Sequence, residues 1–138
     1  MLNKICTDLD TSKKLREIGV KKLAYFSWHG SFEKGEMIYK LTKHEFNNND
    51  KNYLESNNAS AYTLEQILEM LPERIRLKSD SYPDKYFYYS LKLDMHLMKL
   101  YYNCLREFKY ETEIENEDDN LATTAGKLLI KLTEDKII

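Results

Sequence analysis

The stretch AYTLEQILEMLPERI, residues 61–75, constrains the fold more than any other part of this chain. Thr63 fits a helix N-cap, because its hydroxyl can accept a bond from the orphan amides of a first turn. Gln66, three residues on, can reach back to the Thr63 amide and complete a capping box. Tyr62 before the cap and Ile67 after it have the spacing of a hydrophobic staple. Leu64, Ile67, Leu68 and Leu71 share one helical face, with Glu65 and Glu69 on the other. Pro72 disfavours helical geometry at Leu71, so the helix ends near there. A recognition or partner-binding helix would look like this, but so does a helix packed on a sheet. The second reading is preferred, since most helical stability comes from packing one apolar face.

Around that helix the chain alternates between helix and strand signals. Thr7 and Asp10 have capping-box spacing. They predict a helix through 12–18, with Leu9, Leu15 and Ile18 on one face and Gly19 as the C-terminal stop. Residues 22–29 read as an interior strand, apolar on both faces. Residues 36–44 alternate, with Met37, Tyr39 and Leu41 on one face. The two strands are expected to form a hairpin through a loop at 30–35 that carries two glycines. Residues 46–60 are polar and Asn-rich and read as a flexible loop, and 78–84 read as a turn-rich connector.

Residues 85–114 read as three antiparallel strands. In the first, Phe87, Tyr89, Leu91 and Leu93 oppose Tyr86, Tyr88, Ser90 and Lys92. In the second, Met98, Leu100, Tyr102 and Cys104 oppose Lys99, Tyr101 and Asn103. In the third, Phe108, Tyr110, Thr112 and Ile114 oppose Glu107, Lys109, Glu111 and Glu113. Such alternation predicts a sheet buried on one side and wet on the other. Turns are placed at 94–97 and 105–107. The acidic run 115–119 leads into a last helix capped by Asp119 or Asn120, whose buried face is Leu121, Ala125, Leu128, Leu129 and Leu132. Gly126 costs that helix about 1 kcal/mol and is expected to allow close approach to the sheet. The resulting order is α-β-β-α-β-β-β-α. Strand runs without βαβ alternation predict an α+β fold, an antiparallel sheet with helices packed on one face.

With 138 residues, one domain is expected. A hydrophobic share of 42% and a charged share of 32% suit a chain that can bury a core. The net charge of −2 excludes the overall basic balance of a strongly DNA-binding domain, though not a local basic patch. No run is long enough to span a membrane and the N-terminus lacks a signal-peptide core, so a cytoplasmic location is expected. Cys6 and Cys104 share no motif and are expected to be free thiols.

ICTDLDTSKKLREIGV at the start, AYTLEQILEMLP in the middle and a final Leu-rich helix with Ala in its first turns resemble one protein family. It comprises short proteins of no known function carried by gut Bacteroidales and their phages or mobile elements. In that family a tryptophan often precedes the cap of the middle helix; here Tyr62 takes that place. The resemblance implies context rather than activity: an accessory protein of a mobile element that interferes with a host process.

No catalytic motif stands out. His29, His44 and His96 have no metal-ligand spacing among themselves or with the cysteines. The four glycines are scattered, so there is no phosphate loop. No cofactor or metal is expected. Two surfaces remain as sites. The first is the wet face of the second sheet, carrying Tyr86, Tyr88, Lys92, Lys99, Tyr101 and Lys109, where rings can stack on bases and ammonium groups can meet phosphates. Plain solubility of an exposed sheet would favour the same residues. The second is the end of the first strand, at Trp28 and His29. The leading functional expectation is a non-catalytic interaction protein that binds a host protein partner, with aromatic and Met anchors. The alternative is a binder of a nucleotide or single-stranded nucleic acid through the Tyr/Lys face. Self-association through an open sheet edge fits either.

Overall fold

A computed structural model describes residues 5–46, 58–112 and 120–138. The fold is α+β, built of antiparallel sheets and helices. The first helix, α1, spans Leu9–Glu17. Its N-cap is Asp8, whose carboxylate accepts the Thr11 amide at 2.8 Å. The expected Thr7 cap is displaced by one residue because Thr7 is used elsewhere. It is fully buried, with Oγ1 2.7 Å from Ser12 Oγ and accepting the Tyr62 amide at 3.1 Å. Gly19, at φ +89°, ends the helix as expected.

Strands β1 (Ala24–Glu33) and β2 (Glu36–Phe46) form the first hairpin. Its turn is the pair Lys34–Gly35, both at positive φ, which matches the twist of the flanking strands. Gly30 therefore lies inside β1 and not in a loop. Opposite it stands Tyr39, whose ring would lie 2.8 Å from any Cβ added there. The expected loop at 46–60 falls mostly outside the described residues. Its last part is not loop: β3 (Ala59–Ala61) pairs with the other edge of β1, giving a sheet of order β2-β1-β3.

The middle helix, α2, spans Leu64–Met70. Both bonds of the capping box form, Gln66 N to Thr63 Oγ1 at 3.3 Å and Thr63 N to Gln66 Oε1 at 3.2 Å. Pro72 stops the helix. Arg74 and Ile75, at the end of the 61–75 stretch and beyond the expected helix end, start strand β4 (Arg74–Lys78). A second sheet follows, of order β4-β5-β6-β7, with β5 at Tyr86–Asp94, β6 at Lys99–Cys104 and β7 at Glu107–Lys109. The β5–β6 turn is closed by Asp94 Oδ1, which accepts the Leu97 amide at 3.0 Å. β7 ends earlier than expected. Tyr110 has φ +53°, and the next pairing is Thr112 N to Leu100 O at 2.9 Å. Because Lys109 faces Tyr102, regular pairing would bring residue 111 opposite Leu100, so one residue is taken up as a bulge. Glu113, Ile114 and the acidic run lie outside the described residues.

The last helix, α3 (Leu121–Glu134), is capped by Asn120, whose Oδ1 accepts the Thr123 amide at 2.8 Å. It is the centre of the molecule. Leu121, Ala122, Ala125, Leu128, Leu129, Ile130 and Leu132 are all buried, which is the signature of a helix enclosed on most sides. Tyr89, Leu100 and Tyr102 of the second sheet, Leu15 of α1 and Ile67 of α2 join it in one core. The close approach at Gly126 is to α1, not to the sheet: an added Cβ would meet the Thr11 methyl at 2.8 Å and the Thr7 methyl at 3.1 Å. A smaller cluster of Cys6, Phe26 and Ala61, with Trp28 and Leu41 against it, supports the first sheet.

Candidate functional site

The outer face of the second sheet is set by strand register. Arg74 pairs with Ser90, Arg76 with Tyr88 and Lys78 with Tyr86. Ser90 pairs in turn with Asn103, Lys92 with Tyr101 and Asp94 with Lys99. Directly opposed residues in antiparallel strands share a face. The outer face therefore carries Arg74, Arg76 and Lys78 on β4, Tyr86, Tyr88 and Lys92 on β5, and Lys99 and Tyr101 on β6. The alternate residues Ile75, Tyr89, Leu100 and Tyr102 are buried against the helices. Tyr86 is 56% exposed and Tyr88 65%, so their rings are available to a ligand.

Rings and cations are interleaved. The Arg76 guanidinium lies 5.3 Å from the Tyr86 ring centre and Lys99 Nζ 5.8 Å from that of Tyr101. Tyr101 also meets Phe108 edge-on, with ring centres 5.4 Å apart. Phe108 faces Asn103 and so belongs to this outer face, not to the inner one expected for it.

Lys109 does not belong to the site. Opposite Tyr102, it sits on the inner side of the sheet edge and pairs with Asp80 Oδ1 at 2.6 Å. Alternation alone says which residues share a face, not which way that face points. The short turn after Cys104 decides the register, and it places Glu107 and Lys109 inward. Glu107 clasps the β4–β5 connector there, accepting from the Ser79 hydroxyl at 2.8 Å and from the Asp80 and Ser81 amides. Partial burial would raise its carboxyl, but these donors outweigh it and hold the group below its usual value.

Arg74, Arg76 and Lys78 were missed in the sequence because they follow a strong helix signal. The available sign was the alternation R-I-R-L-K just after Pro72, a strand pattern beginning where the helix had to stop.

No protein-family model, curated protein or solved structure matches this chain.

Trp28 and His29 do not form a joint site. Being adjacent on a strand, they point to opposite faces. Trp28 Nε1 donates to Thr7 O at 3.1 Å and braces the first sheet against the start of α1. His29 Nε2 lies 2.9 Å from Ser27 Oγ on the other side. Among the described residues no group of His, Cys, Asp and Glu side chains is placed to hold a metal. The Cys6 thiol is fully buried and pushed up to about 12 by that burial, which makes it a poor nucleophile. No helix among the described residues is long and apolar enough to cross a membrane.

Proposed function

We propose that this protein binds nucleic acid or its nucleotide components on the outer face of β4–β7, without catalysis. One observation carries the reading. β4 sets Arg74, Arg76 and Lys78 beside the rings of Tyr86 and Tyr88, on the face that also holds Lys92, Lys99 and Tyr101. The whole chain has a net charge of −2, so this face is a local concentration of positive charge. Guanidinium and ammonium groups meet phosphates, and exposed rings stack on bases, each without help from a pocket. Solubility alone needs no such pairing of cation and ring across strands.

A host protein partner is the second reading. Met95, Leu97 and Leu105 favour it, since all three are exposed at the two turns that close β6. The proposed setting for either is the cytoplasm of a bacterial host, in the service of a phage or mobile element. Among the described residues no strand pairs with the outer edge of β4, and its charged side chains discourage self-pairing there.

The experiment is direct. Protein recovered from its host is tested for co-purifying nucleic acid by its 260/280 nm absorbance ratio and by mass spectrometry of the denatured fraction. In parallel, Tyr88→Ala with Lys99→Glu should weaken binding by more than about ten-fold and leave the melting temperature nearly unchanged. A clean ratio, together with an oligonucleotide titration that shows no binding, sinks the proposal.

A further inference from the structure

We infer that the ligand is an unpaired strand, RNA or DNA, laid along β4 with its phosphates on Arg74, Arg76 and Lys78 and its bases turned inward onto β5 and β6. This rests on the nucleotide-binding reading and narrows it. The cations form a row and not a cluster. Alternate side chains on a strand recur about every 6.7 Å, a step that successive phosphates of an extended strand can follow. A mononucleotide concentrates its charge at one end and calls for donors converging on one point.

The neighbouring strand supplies the second half of each step. Lys78 lies beside Tyr86 and Arg76 beside Tyr88, one strand spacing of about 4.8 Å away. A phosphate on the β4 row thus leaves its base over a β5 ring. At the third step Arg74 lies beside Ser90, and Ser90 beside Asn103, with Tyr101 and Phe108 flanking. That step offers polar groups to a base edge as well as rings to its flank. A duplex hides the base faces that exposed tyrosines would stack on, so the face selects unpaired strands. The footprint is three nucleotides along the β4 row, with Lys92 and Lys99 beyond it.

Fluorescence anisotropy with labelled oligo-dT and oligo-U of one to ten nucleotides tests this, with dTMP and UMP as competitors and a ten-base-pair duplex as control. Affinity should climb steeply up to three or four nucleotides and then flatten, and the single strand should bind at least ten-fold tighter than the duplex. Binding of either strand supports the inference, and the tighter one identifies the sugar. The slope of log K against log salt should shrink by about 0.7 for each of Arg74→Gln, Arg76→Gln and Lys78→Gln. Tyr88→Ala should cost about ten-fold with the salt slope unchanged. Circular dichroism melts of each variant confirm that it folds. If mononucleotides bind as tightly as the ten-mer, or the duplex as tightly as the strand, the inference fails while the nucleotide-binding reading stands. If no member of the series binds, both fail.

Discussion

At the scale of single residues, two side chains make the packing testable. The Tyr89 hydroxyl is sealed beneath the second sheet and has no hydrogen-bond partner among the described residues. Burial first, and the nearby Glu107 carboxylate second, push its phenol up to about 12. It faces that carboxylate without a hydrogen bond of good geometry. An unpaired buried hydroxyl costs roughly 1–3 kcal/mol. Tyr89→Phe should therefore leave stability unchanged or raise it by about 1 kcal/mol in urea denaturation. A clear loss would mean that the hydroxyl holds a partner. Gly126 works the other way. Alanine improves helix propensity by about 1 kcal/mol, yet its Cβ would stand 2.8 Å from the methyl of Thr11. Threonine is stiff at χ1, so the clash is not cheaply relieved, and overpacking costs roughly 1–3 kcal/mol. Gly126→Ala should destabilise, and adding Thr11→Ser should recover most of the loss. A stabilised single variant would show that α1 and α3 are less closely packed.

At the scale of elements, Glu107 ties β7 to the β4–β5 connector. Its carboxyl is held below the ordinary value of 4.5 in the fold. A depressed carboxyl stabilises fully above its unfolded value, and the effect is lost as pH falls through the folded value. Protection factors of the amides at 79–82 should therefore be high at neutral pH and fall as the pH drops below 4.5 and through the folded value of Glu107. In Glu107→Gln the same amides should exchange quickly at neutral pH; equal protection in both proteins would remove Glu107 from this role.

The elements themselves were unevenly legible. α2 was plain because its cap, staple and proline stop are local signals, and both capping bonds form. The two faces of β5 and β6 were plain because burial alternates over Tyr86–Tyr89 and over Lys99–Tyr102. What was hidden depends on distant partners. β3 is only Ala59–Ala61 and exists because β1 offers it an edge. β4 stands in the shadow of a helix signal. β7 reads as one alternating strand, but the bulge at Tyr110 reverses the faces partway. Tyr110 turns toward α3, where its hydroxyl donates to Asp135 Oδ2 at 2.9 Å, and Lys109 is left inward. Of the residues expected at the site, Tyr86, Tyr88, Lys92, Lys99 and Tyr101 are gathered on one face. Lys109, Trp28 and His29 are not. The cations of β4 were the unread part, and they change the ranking of functions.

At the scale of the molecule, the fold separates two tasks. α3 collects the core, with α1, α2 and the inner face of the second sheet around it. The outer face of that sheet is left to solvent, and it is there that cations and rings alternate. A strand-binding function needs such sidedness, because a rigid sheet fixes the spacing of the groups that meet the ligand. The most direct test is residue-resolved. With 15N-labelled protein, unlabelled dT6 or U6 is titrated at low salt and amide shifts are followed by NMR. Saturable shifts are expected on β4, β5 and β6 at Arg74, Arg76, Lys78, Tyr86, Tyr88 and Tyr101, with α1 and the β1–β2 hairpin unmoved. Shifts centred on another surface, or none at millimolar oligonucleotide, would contradict binding on this face.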